Sequence, residues 1–277
     1  MEQKTLTISA VQMCSKVGDK YSNFEKADSL IMQGIEKNID VIILPEVWNV
    51  GWSCSYFRQN AEKLENSETI AFLSEIAKKY NTYILGGSFI EKVDDETYFN
   101  TCPVLDRQGK LIAKYSKNHL YSSYGADENK YVKAGYNPVM VDIDGIKTGI
   151  TLCYDIRFPE IFRSYRKSGA ELLVNMAAWG LKKPLAWETL TRARAIENQT
   201  FVAALTQSGK ITEDEWNIGH SRIFDYIGET IAEIKDQKEG VMNVSINFSA
   251  MRKYRDECRI MNDIKNSYEV KYYEKVH

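Results

Sequence analysis

The chain has 277 residues and a formal net charge of −2, because 36 lysines and arginines nearly balance 38 aspartates and glutamates. Phosphate recognition needs clustered positive charge, so this balance argues against nucleic acid as the main partner. No window approaches about 18 uninterrupted apolar residues. The first ten residues hold too short an apolar run for a signal peptide, so we predict a cytoplasmic protein without membrane spans.

Cysteine and histidine usage restricts the chemistry. The five cysteines, at positions 14, 54, 102, 153 and 258, are odd in number and include no Cys-x-x-Cys pair. This pattern argues against a disulfide framework or a zinc ribbon. The three histidines form no cluster of metal-ligand spacing with the cysteines. We therefore expect catalysis without a metal or cofactor.

The sequence predicts one large α/β domain over residues 1–277, with residues 262–277 as a C-terminal tail, since no linker-like or repetitive segment interrupts it. Near-continuous apolar or β-branched runs indicate strands that are covered on both faces. The predicted strands are Thr5 to Gln12, Val41 to Glu46, Tyr83 to Phe89, Leu172 to Met176 and Phe201 to Thr206.

Helical patterns lie between these strands. Apolar residues recur at helical spacing over Tyr21 to Lys37 and over Ser67 to Tyr80, and Pro184 to Asn198 opens on a proline that suits a first turn. One side of this last helix carries Leu185, Thr189, Ala193 and Ile196. The alternation of strands and helices indicates βαβα units.

Three hairpins are predicted in addition. They run from Thr101 to Lys117, from Val139 to Cys153 with a turn at Asp144 and Gly145, and from His220 to Lys235. Parallel crossovers combined with antiparallel hairpins imply a mixed sheet flanked by helices.

Chemically useful side chains stand where predicted strands end. Glu46, Lys117, Cys153 and Trp179 each follow such a run. In open α/β sheets, ligands bind beyond the carboxyl ends of the strands. We therefore expect a carboxylate, an ammonium and a thiol to share one edge of a sheet.

These residues also carry a resemblance to a known family. Leu44 to Glu46, Tyr115 to Leu120 and Cys153 to Glu160 read Leu-Pro-Glu, Tyr-Ser-Lys-Asn-His-Leu and Cys-Tyr-Asp-Ile-Arg-Phe-Pro-Glu. In this order they resemble the signatures of the nitrilase superfamily of carbon–nitrogen hydrolases. The resemblance runs from about residue 5 to about residue 255, and it implies a four-layer αββα sandwich. Further matches are Asp127-Glu128, Ala193 to Gln199 and Gly219 to Ser221.

The resemblance implies a role for each residue of the site. Cys153 is the nucleophile that forms a thioester, and Glu46 takes the thiol proton and later protonates the leaving group. Lys117 and the backbone N–H of Tyr154 stabilise the oxyanion. Glu128 is implied as a second glutamate that orients Lys117 and the substrate amide.

Other interpretations compete with these roles. A cysteine after an apolar strand is usually a small core residue, Glu46 could cap a helix or pair with Arg58, and Lys117 could be solvated. A dyad of Cys153 and His119, of protease or thioesterase type, is the alternative catalytic pair. The matched order of three motifs favours the Glu–Lys–Cys interpretation.

Charged residues near the thiol are interpreted as structural. Asp155, Arg157 and Glu160 follow it within a turn and a half, where we expect an ion network that holds the strand-to-helix turn. Glu197 and Asn198 end a packed helix and are expected to support it.

The aromatic and cationic residues predicted near the thiol each have more than one interpretation. Trp179 either packs in the strand layer or forms a pocket wall, and the aromatic loop Trp48, Trp52, Tyr56 and Phe57 serves the core, an interface or the mouth of the site. Lys182 and Lys183 are either solvated or bind an anionic group of the substrate beside a helix N-terminus.

The motif run, the strand-end tryptophan and Trp187 resemble most the omega-amidase group, which hydrolyses monoamides of dicarboxylic 2-oxo acids. We predict an amidohydrolase that releases ammonia from a small amide. An N-carbamoyl amine or amino-acid hydrolase and an amidase of deaminated glutathione stay open, as does a non-catalytic scaffold or binding protein. The resemblance also implies a homodimer or larger homo-oligomer that pairs through the helix after Pro159 and the helix Pro184 to Asn198.

Overall fold

The computed structural model describes residues 4–35, 38–123, 126–265 and 267–274. The strands are β1 (Thr5–Gln12), β2 (Val41–Ile43), β3 (Tyr83–Leu85), β4 (Phe89–Lys92), β5 (Tyr98–Leu105), β6 (Leu111–Ser116), β7 (Val139–Ile143), β8 (Ile146–Leu152), β9 (Leu172–Ala177), β10 (Phe201–Thr206), β11 (Ser208–Lys210), β12 (Trp216–Ile218), β13 (Ser221–Phe224), β14 (Thr230–Ile234) and β15 (Gly240–Asn247). The α-helices are α1 (Lys20–Gly34), α2 (Glu68–Tyr80), α3 (Pro159–Lys167), α4 (Pro184–Asn198) and α5 (Ser249–Glu257). None of these helices is long and apolar enough to cross a membrane.

Two mixed sheets contain most of these strands, and β11 and β12 form a separate antiparallel pair. The first has the order β15-β1-β2-β3-β5-β4, with β6 also paired to β5, and the second has the order β14-β13-β10-β9-β8-β7. Strands β1, β2 and β3 run parallel, as do β8, β9 and β10, while the flanking pairs are antiparallel. The mixed topology predicted from crossovers and hairpins is therefore confirmed.

The sheets pack face to face with helices outside them. Along β1, Ile8 lies in the apolar cluster shared with the second sheet, and Val11 faces the cluster that holds Ile31 of α1 and Leu73 of α2. Trp187 of α4 packs against the second sheet. This alternation of side chains along a strand produces layers in the order α, β, β, α, which confirms the predicted four-layer sandwich.

Several boundaries differ from the prediction. Strand β2 ends at Ile43 and not at Glu46. The run from Tyr83 to Phe89 is broken at Gly87, which has φ of +63° and lies where a Cβ would come within 2.0 Å of the Pro45 carbonyl oxygen. A strand cannot continue through this close approach of two chain segments. The predicted first helix ends at Gly34, and residues 36 and 37 of that prediction lie outside the described residues.

The C-terminal elements β15 and α5 were not predicted. Strand β15 is an edge strand that pairs only with β1 in the first sheet, and polar residues interrupt its apolar pattern. Helix α5 buries only Met251 and is rich in charge. Edge position and a narrow buried face both weaken the apolar periodicity on which sequence prediction depends.

Candidate active site

The three predicted residues come together between the two sheets. Glu46 follows β2, Lys117 follows β6 and Cys153 follows β8. Glu46 and Lys117 are fully buried and Cys153 is 7% exposed. Burial excludes the solvated interpretation of Lys117. The pairing of Glu46 with Arg58 is also excluded, because the Arg58 guanidinium donates to the backbone of the segment after Glu128.

Glu46 is held by donors from three segments. Its Oε1 accepts from Lys117 Nζ at 2.8 Å and from Asn100 Nδ2 at 3.0 Å, and its Oε2 accepts from the backbone N–H of Ala178 at 3.0 Å. Its backbone carbonyl accepts from Gln207 Nε2 at 2.7 Å. These contacts fix the carboxylate from both sheets.

Glu128 belongs to the same cluster. It is fully buried, and its carboxylate oxygens accept from Lys117 Nζ at 3.1 and 2.9 Å. Asn100 Nδ2 donates to it at 3.1 Å, and the backbone N–H of Tyr121 donates at 2.7 Å. Lys117 therefore lies between two carboxylates, and Asn100 bridges the same pair.

The charges of this cluster shift its pKa values together. Burial would lower the pKa of Lys117, but the carboxylates of Glu128 and Glu46 outweigh it and raise that pKa well above its ordinary value. Burial raises the pKa of Glu46 despite the opposing charge of Lys117, and Glu128 adds to the rise. The ammonium is thus held protonated, and Glu46 has a raised affinity for a proton.

Burial raises the pKa of the Cys153 thiol well above its ordinary value, and the negative charge of Glu46 raises it further, while Lys117 lowers it. The thiol is therefore protonated at neutral pH. The Glu46 carboxylate lies close enough to this thiol to act on its pKa directly. A base in this position can remove the thiol proton at the moment when the sulfur attacks. Other cysteine enzymes instead form the thiolate beforehand, because their thiol pKa is lowered.

A strained turn presents the thiol. Cys153 has φ of +40°, and residues Cys153–Arg157 form a 3₁₀ turn between β8 and α3. The buried carboxylate of Asp155 accepts from the backbone N–H of Leu152 at 2.9 Å and from the Tyr115 hydroxyl at 2.6 Å. A non-glycine residue at positive φ costs on the order of 1–3 kcal/mol and persists where neighbouring contacts enforce it.

His119 also supports this turn. Its Nδ1 lies 2.7 Å from Asp155 Oδ1, its backbone N–H donates to the same oxygen at 3.0 Å, and its ring stacks on Phe158 at 3.7 Å between centroids. The imidazole thus orients Asp155, and the thiol is paired with Glu46. These contacts disfavour the cysteine–histidine dyad.

A cavity of about 780 Å³ leads to Cys153. Trp179 is 5% exposed, lines the cavity and packs on Trp187 at 5.4 Å, so it serves both the strand layer and the pocket wall. Trp52 lines the mouth with its ring 5.0 Å from Lys117 Nζ. Within the aromatic loop, Trp48 and Phe57 are buried in the core and Tyr56 is exposed.

Charged side chains of both signs line the same cavity: the cations Lys130, Arg157, Lys182 and Lys183, and the carboxylates Asp127, Asp214 and Glu215. Lys182 is exposed, and Lys183 donates from its ammonium to the Tyr121 hydroxyl, with that ring 4.7 Å away. The Arg157 guanidinium lies over the rings of Tyr154 at 5.8 Å and Trp179 at 5.2 Å. Lys130 pairs with Asp127, but no described carboxylate pairs with Arg157, so the cavity beside Arg157 favours a negatively charged group.

The predicted ion network after the thiol is therefore wrong in two of its members. Arg157 lines the cavity, and Glu160 is exposed without an ion pair to any described residue. Of the three predicted residues, only Asp155 holds the turn, through hydrogen bonds. The reason is that the 3₁₀ turn directs Tyr154 and Arg157 to the cavity and buries Asp155 and Ile156.

Comparisons with known proteins agree with this geometry. Residues 7–256 match the family model described as carbon–nitrogen hydrolase. The chain belongs to this family. It is similar to the 2-oxoglutaramate amidase of Bacillus subtilis, with 34% identity over 94% of this chain and 97% of that protein. It is also 35% identical to the chloroplastic omega-amidase of Arabidopsis thaliana, over 87% of this chain and 68% of that protein.

Solved structures of the same superfamily have a similar fold. A carbon–nitrogen hydrolase superfamily protein from Xanthomonas campestris, with an arsenic adduct in its active site, superposes with a TM-score of 0.86 and 28% identity. The alignment covers 97% of this chain and all of that one. The predicted class, a hydrolase of carbon–nitrogen bonds, is therefore confirmed.

Sequence reasoning about this carbon–nitrogen hydrolase missed Asn100, which contacts both glutamates, and Gln207, which holds the Glu46 backbone. A buried polar residue inside an apolar strand run was the available signal for Asn100. The expected support by Glu197 is observed: it pairs with Arg194 at 2.7 Å, and Arg194 donates to the Ile156 carbonyl of the thiol turn at 3.0 and 2.6 Å.

Proposed function

We propose that this hydrolase is an omega-amidase-like enzyme, in which Cys153 attacks the terminal amide of a small dicarboxylic monoamide. The observation that carries the proposal is the buried cluster of Glu46, Lys117 and Glu128 beside a thiol, in a cavity that also presents the guanidinium of Arg157. The names of the relatives, 2-oxoglutaramate amidase and omega-amidase, support the same substrate class.

The first step transfers a proton and forms a bond. The substrate carbonyl carbon approaches Cys153, Glu46 accepts the thiol proton, and the sulfur adds to the carbon. Negative charge then develops on the carbonyl oxygen. Lys117 suits the stabilisation of that charge because both glutamates keep it protonated, and the backbone N–H of Tyr154 is the second donor that we propose.

The second step releases ammonia. Glu46 returns its proton to the amide nitrogen, the carbon–nitrogen bond breaks, and a thioester remains on Cys153. Glu46 then removes a proton from water, the hydroxide adds to the thioester carbon, the carbon–sulfur bond breaks to free the acid, and Glu46 returns the proton to the Cys153 sulfur. The raised pKa of Glu46 suits a group that must both accept and donate a proton in one cycle.

Glu128 acts as a positioning residue in this proposal. Its carboxylate holds the Lys117 ammonium at 2.9 Å and is itself fixed by Asn100 and the Tyr121 N–H. A second carboxylate also keeps the cluster one negative charge in excess, which favours protonation of Glu46 after the attack.

Among the charged residues of the cavity, Arg157 supports an acidic substrate most directly, because no described carboxylate pairs with it. Arg157 presents a planar guanidinium, which binds carboxylates through paired hydrogen bonds, and Lys183 lies at the N-terminus of α4. We propose that Arg157 binds the distal carboxylate first and that Lys183 contributes to the same field. Lys182 is more exposed, so solvent screens its contribution.

We also propose a homodimer that pairs through α3 and α4. The side of α4 with Leu185, Thr189, Ala193 and Ile196 faces outward, and Leu185 is 74% exposed. Tyr268, Tyr272 and Tyr273 of the tail are exposed as well. Light scattering that gave only a 31.8 kDa species at micromolar concentration would contradict the dimer. The cytoplasmic location, the single domain over residues 1–277 and the absence of a cofactor stay predictions.

An ammonia-release assay on matched substrates tests the function. The panel contains the monoamide of a dicarboxylic 2-oxo acid, a neutral amide of equal length, an N-carbamoyl amino acid and a nitrile. We expect the highest kcat/KM with the acidic monoamide. Preference for the N-carbamoyl compound would replace this substrate class. Inertness toward the whole panel, together with a Cys153 that iodoacetamide does not modify, would favour the non-catalytic protein.

A further inference from the structure

A second cavity, of about 510 Å³, lies apart from the thiol and shares no lining residue with the active site. Four arginines line it: Arg166 at the end of α3, Arg252 and Arg255 on α5, and Arg259 just after α5. Two helices that are distant in sequence therefore bring four guanidinium groups to one place.

Part of this cluster has a structural role. Arg166 Nε donates to the Asn198 carbonyl at 2.9 Å, and Arg255 Nε donates to the Gln199 carbonyl at 2.7 Å. Both carbonyls lie at the C-terminal end of α4, where cations are favourable. Arg252 forms two hydrogen bonds with the Glu171 carboxylate.

These contacts leave several guanidinium donors without an acceptor among the described residues. Within the described part of the chain, neither terminal nitrogen of Arg166 nor either of Arg259 has an acceptor, and Arg259 uses only its Nε, toward the Asp256 carbonyl. Helix capping therefore accounts for the contact of Arg166 Nε. It assigns no role to the two terminal nitrogens of the same guanidinium group.

The charge of the cavity is also unbalanced. The four guanidinium groups that line it have the carboxylates of Glu171 and Asp256 beside them, and Arg163 adds a further positive charge near Arg166, so at least two positive charges are in excess. Burial lowers the pKa of Arg255 to about 9, and the charge of Arg166 adds to this effect. Repulsion among neighbouring guanidinium groups is relieved when an anion binds between them.

We propose that this arginine cavity is a binding site for a compact dianion of the phosphate class, either inorganic phosphate or a phosphate monoester. Two unpaired guanidinium forks match the oxygens of a tetrahedral anion, since arginine binds phosphate through paired N–H groups. A dianion also matches the excess of two positive charges. The site is independent of the proposed amide chemistry, so either can fail without the other.

Titration calorimetry on the full chain with inorganic phosphate tests the site, with sodium chloride at matched ionic strength as the blank. We expect saturable binding of one phosphate per chain. Arg259→Gln should raise the dissociation constant for phosphate at least about tenfold, because it removes a charge-assisted pair of donors. Arg259 is exposed and has one backbone contact, so this variant should fold and keep full amide turnover.

Lys253→Gln is the matched control. It removes one positive charge from α5, but Lys253 is 78% exposed and lies outside the cavity. Binding should therefore stay within about twofold of the wild type. Equal loss in both variants, or an equal effect of chloride, would show general screening and overturn the proposal.

Two further ligands identify what the site recognises. Glycerol phosphate that binds as tightly as phosphate favours a monoester, and weaker binding favours inorganic phosphate. Succinate that binds as tightly as either would overturn the phosphate assignment. Binding of phosphate only to a monomeric form, as judged by light scattering, would identify the cluster as a subunit contact and would also overturn the proposal.

Discussion

Lys117 donates from its ammonium to Oε1 of Glu46 across 2.8 Å, and neither side chain is exposed to solvent. A buried ion pair gains little over apolar packing, but removal of one partner leaves the other charge unpaired and costs about 3–5 kcal/mol. This pair therefore serves the catalytic chemistry, and loss of either partner destabilises the fold. Both consequences can be measured in one variant.

Lys117→Ala should lower the free energy of unfolding by about 3–5 kcal/mol, because Glu46 and Glu128 lose their common cation. It should also lower kcat at least about a hundredfold, since one oxyanion donor is lost. Urea unfolding and ammonia release on the folded fraction measure the two effects.

His119→Ala is the comparison for that variant. It removes the Nδ1 contact to Asp155 and loosens the thiol turn, so we expect a smaller fall in kcat than in Lys117→Ala. Near-normal turnover in Lys117→Ala together with a loss in His119→Ala would restore the cysteine–histidine dyad.

Cys153→Ala should abolish turnover without loss of the fold, because the thiol is a small side chain at the end of β8, and Cys153→Ser should be nearly as inactive. Quenched turnover followed by mass spectrometry should find the acyl group on Cys153. Cys54 lines the same cavity and is the internal control. Burial raises its pKa to about 12, so it should stay unmodified. An acyl adduct on Cys54 would overturn the assignment.

How far the sequence predicts this site depends on where each residue lies. Glu46, Lys117 and Cys153 follow apolar runs whose carboxyl ends meet at one edge, so their proximity follows from strand order. Glu128 gives no such signal, because an acidic loop segment is usually exposed and only the tertiary fold buries it beside Lys117. Arg157 was misjudged for a related reason: a charge next to other charges suggests pairing, and the 3₁₀ turn directs it into the cavity.

The fold shows the same division. The hairpin turn at Asp144 and Gly145 is predicted because both residues adopt positive φ, which Asp and Gly tolerate. The break at Gly87 is not predicted, because it depends on the approach of Pro45 from another segment. Local conformational preference can be read along the chain, and contacts between distant segments cannot.

Glu46→Gln should separate amide turnover from thiol reactivity. Turnover should fall at least about a hundredfold, since no group accepts the thiol proton. The carboxylate of Glu46 raises the pKa of Cys153, so its removal lowers that pKa, and the thiolate forms at lower pH than in the wild type. The pH at half-maximal alkylation by iodoacetamide should therefore decrease, and the rate at pH 7 should not fall.

Rates of alkylation and of ammonia release, measured from pH 6 to pH 10 in both proteins, decide this prediction. Glu46→Asp is the control, because it retains a base at a longer distance from the thiol, and we expect partial turnover. Parallel loss of alkylation and turnover in Glu46→Gln would mean that Glu46 generates the thiolate at rest, and the proton transfer proposed here would be wrong.

Substrate charge gives the last prediction. Arg157 lies over Tyr154 and Trp179 in the wall of the thiol cavity, and no described carboxylate pairs with it. A charge-assisted hydrogen bond is worth about 1.5–3 kcal/mol, so Arg157→Ala should raise KM for an acidic monoamide by roughly 10- to 150-fold. The KM for a neutral amide of equal length should change less than about threefold. For Arg157→Lys, the KM for the acidic monoamide should lie between those of the wild type and Arg157→Ala, since lysine keeps the charge and loses the paired geometry. Lys182→Ala should have the smallest effect, because its ammonium is exposed, and Lys183→Ala an intermediate one. Equal changes in KM for both substrates in Arg157→Ala would mean that this residue supports the aromatic wall and binds no carboxylate, and the omega-amidase proposal would lose its anchor for the distal acid.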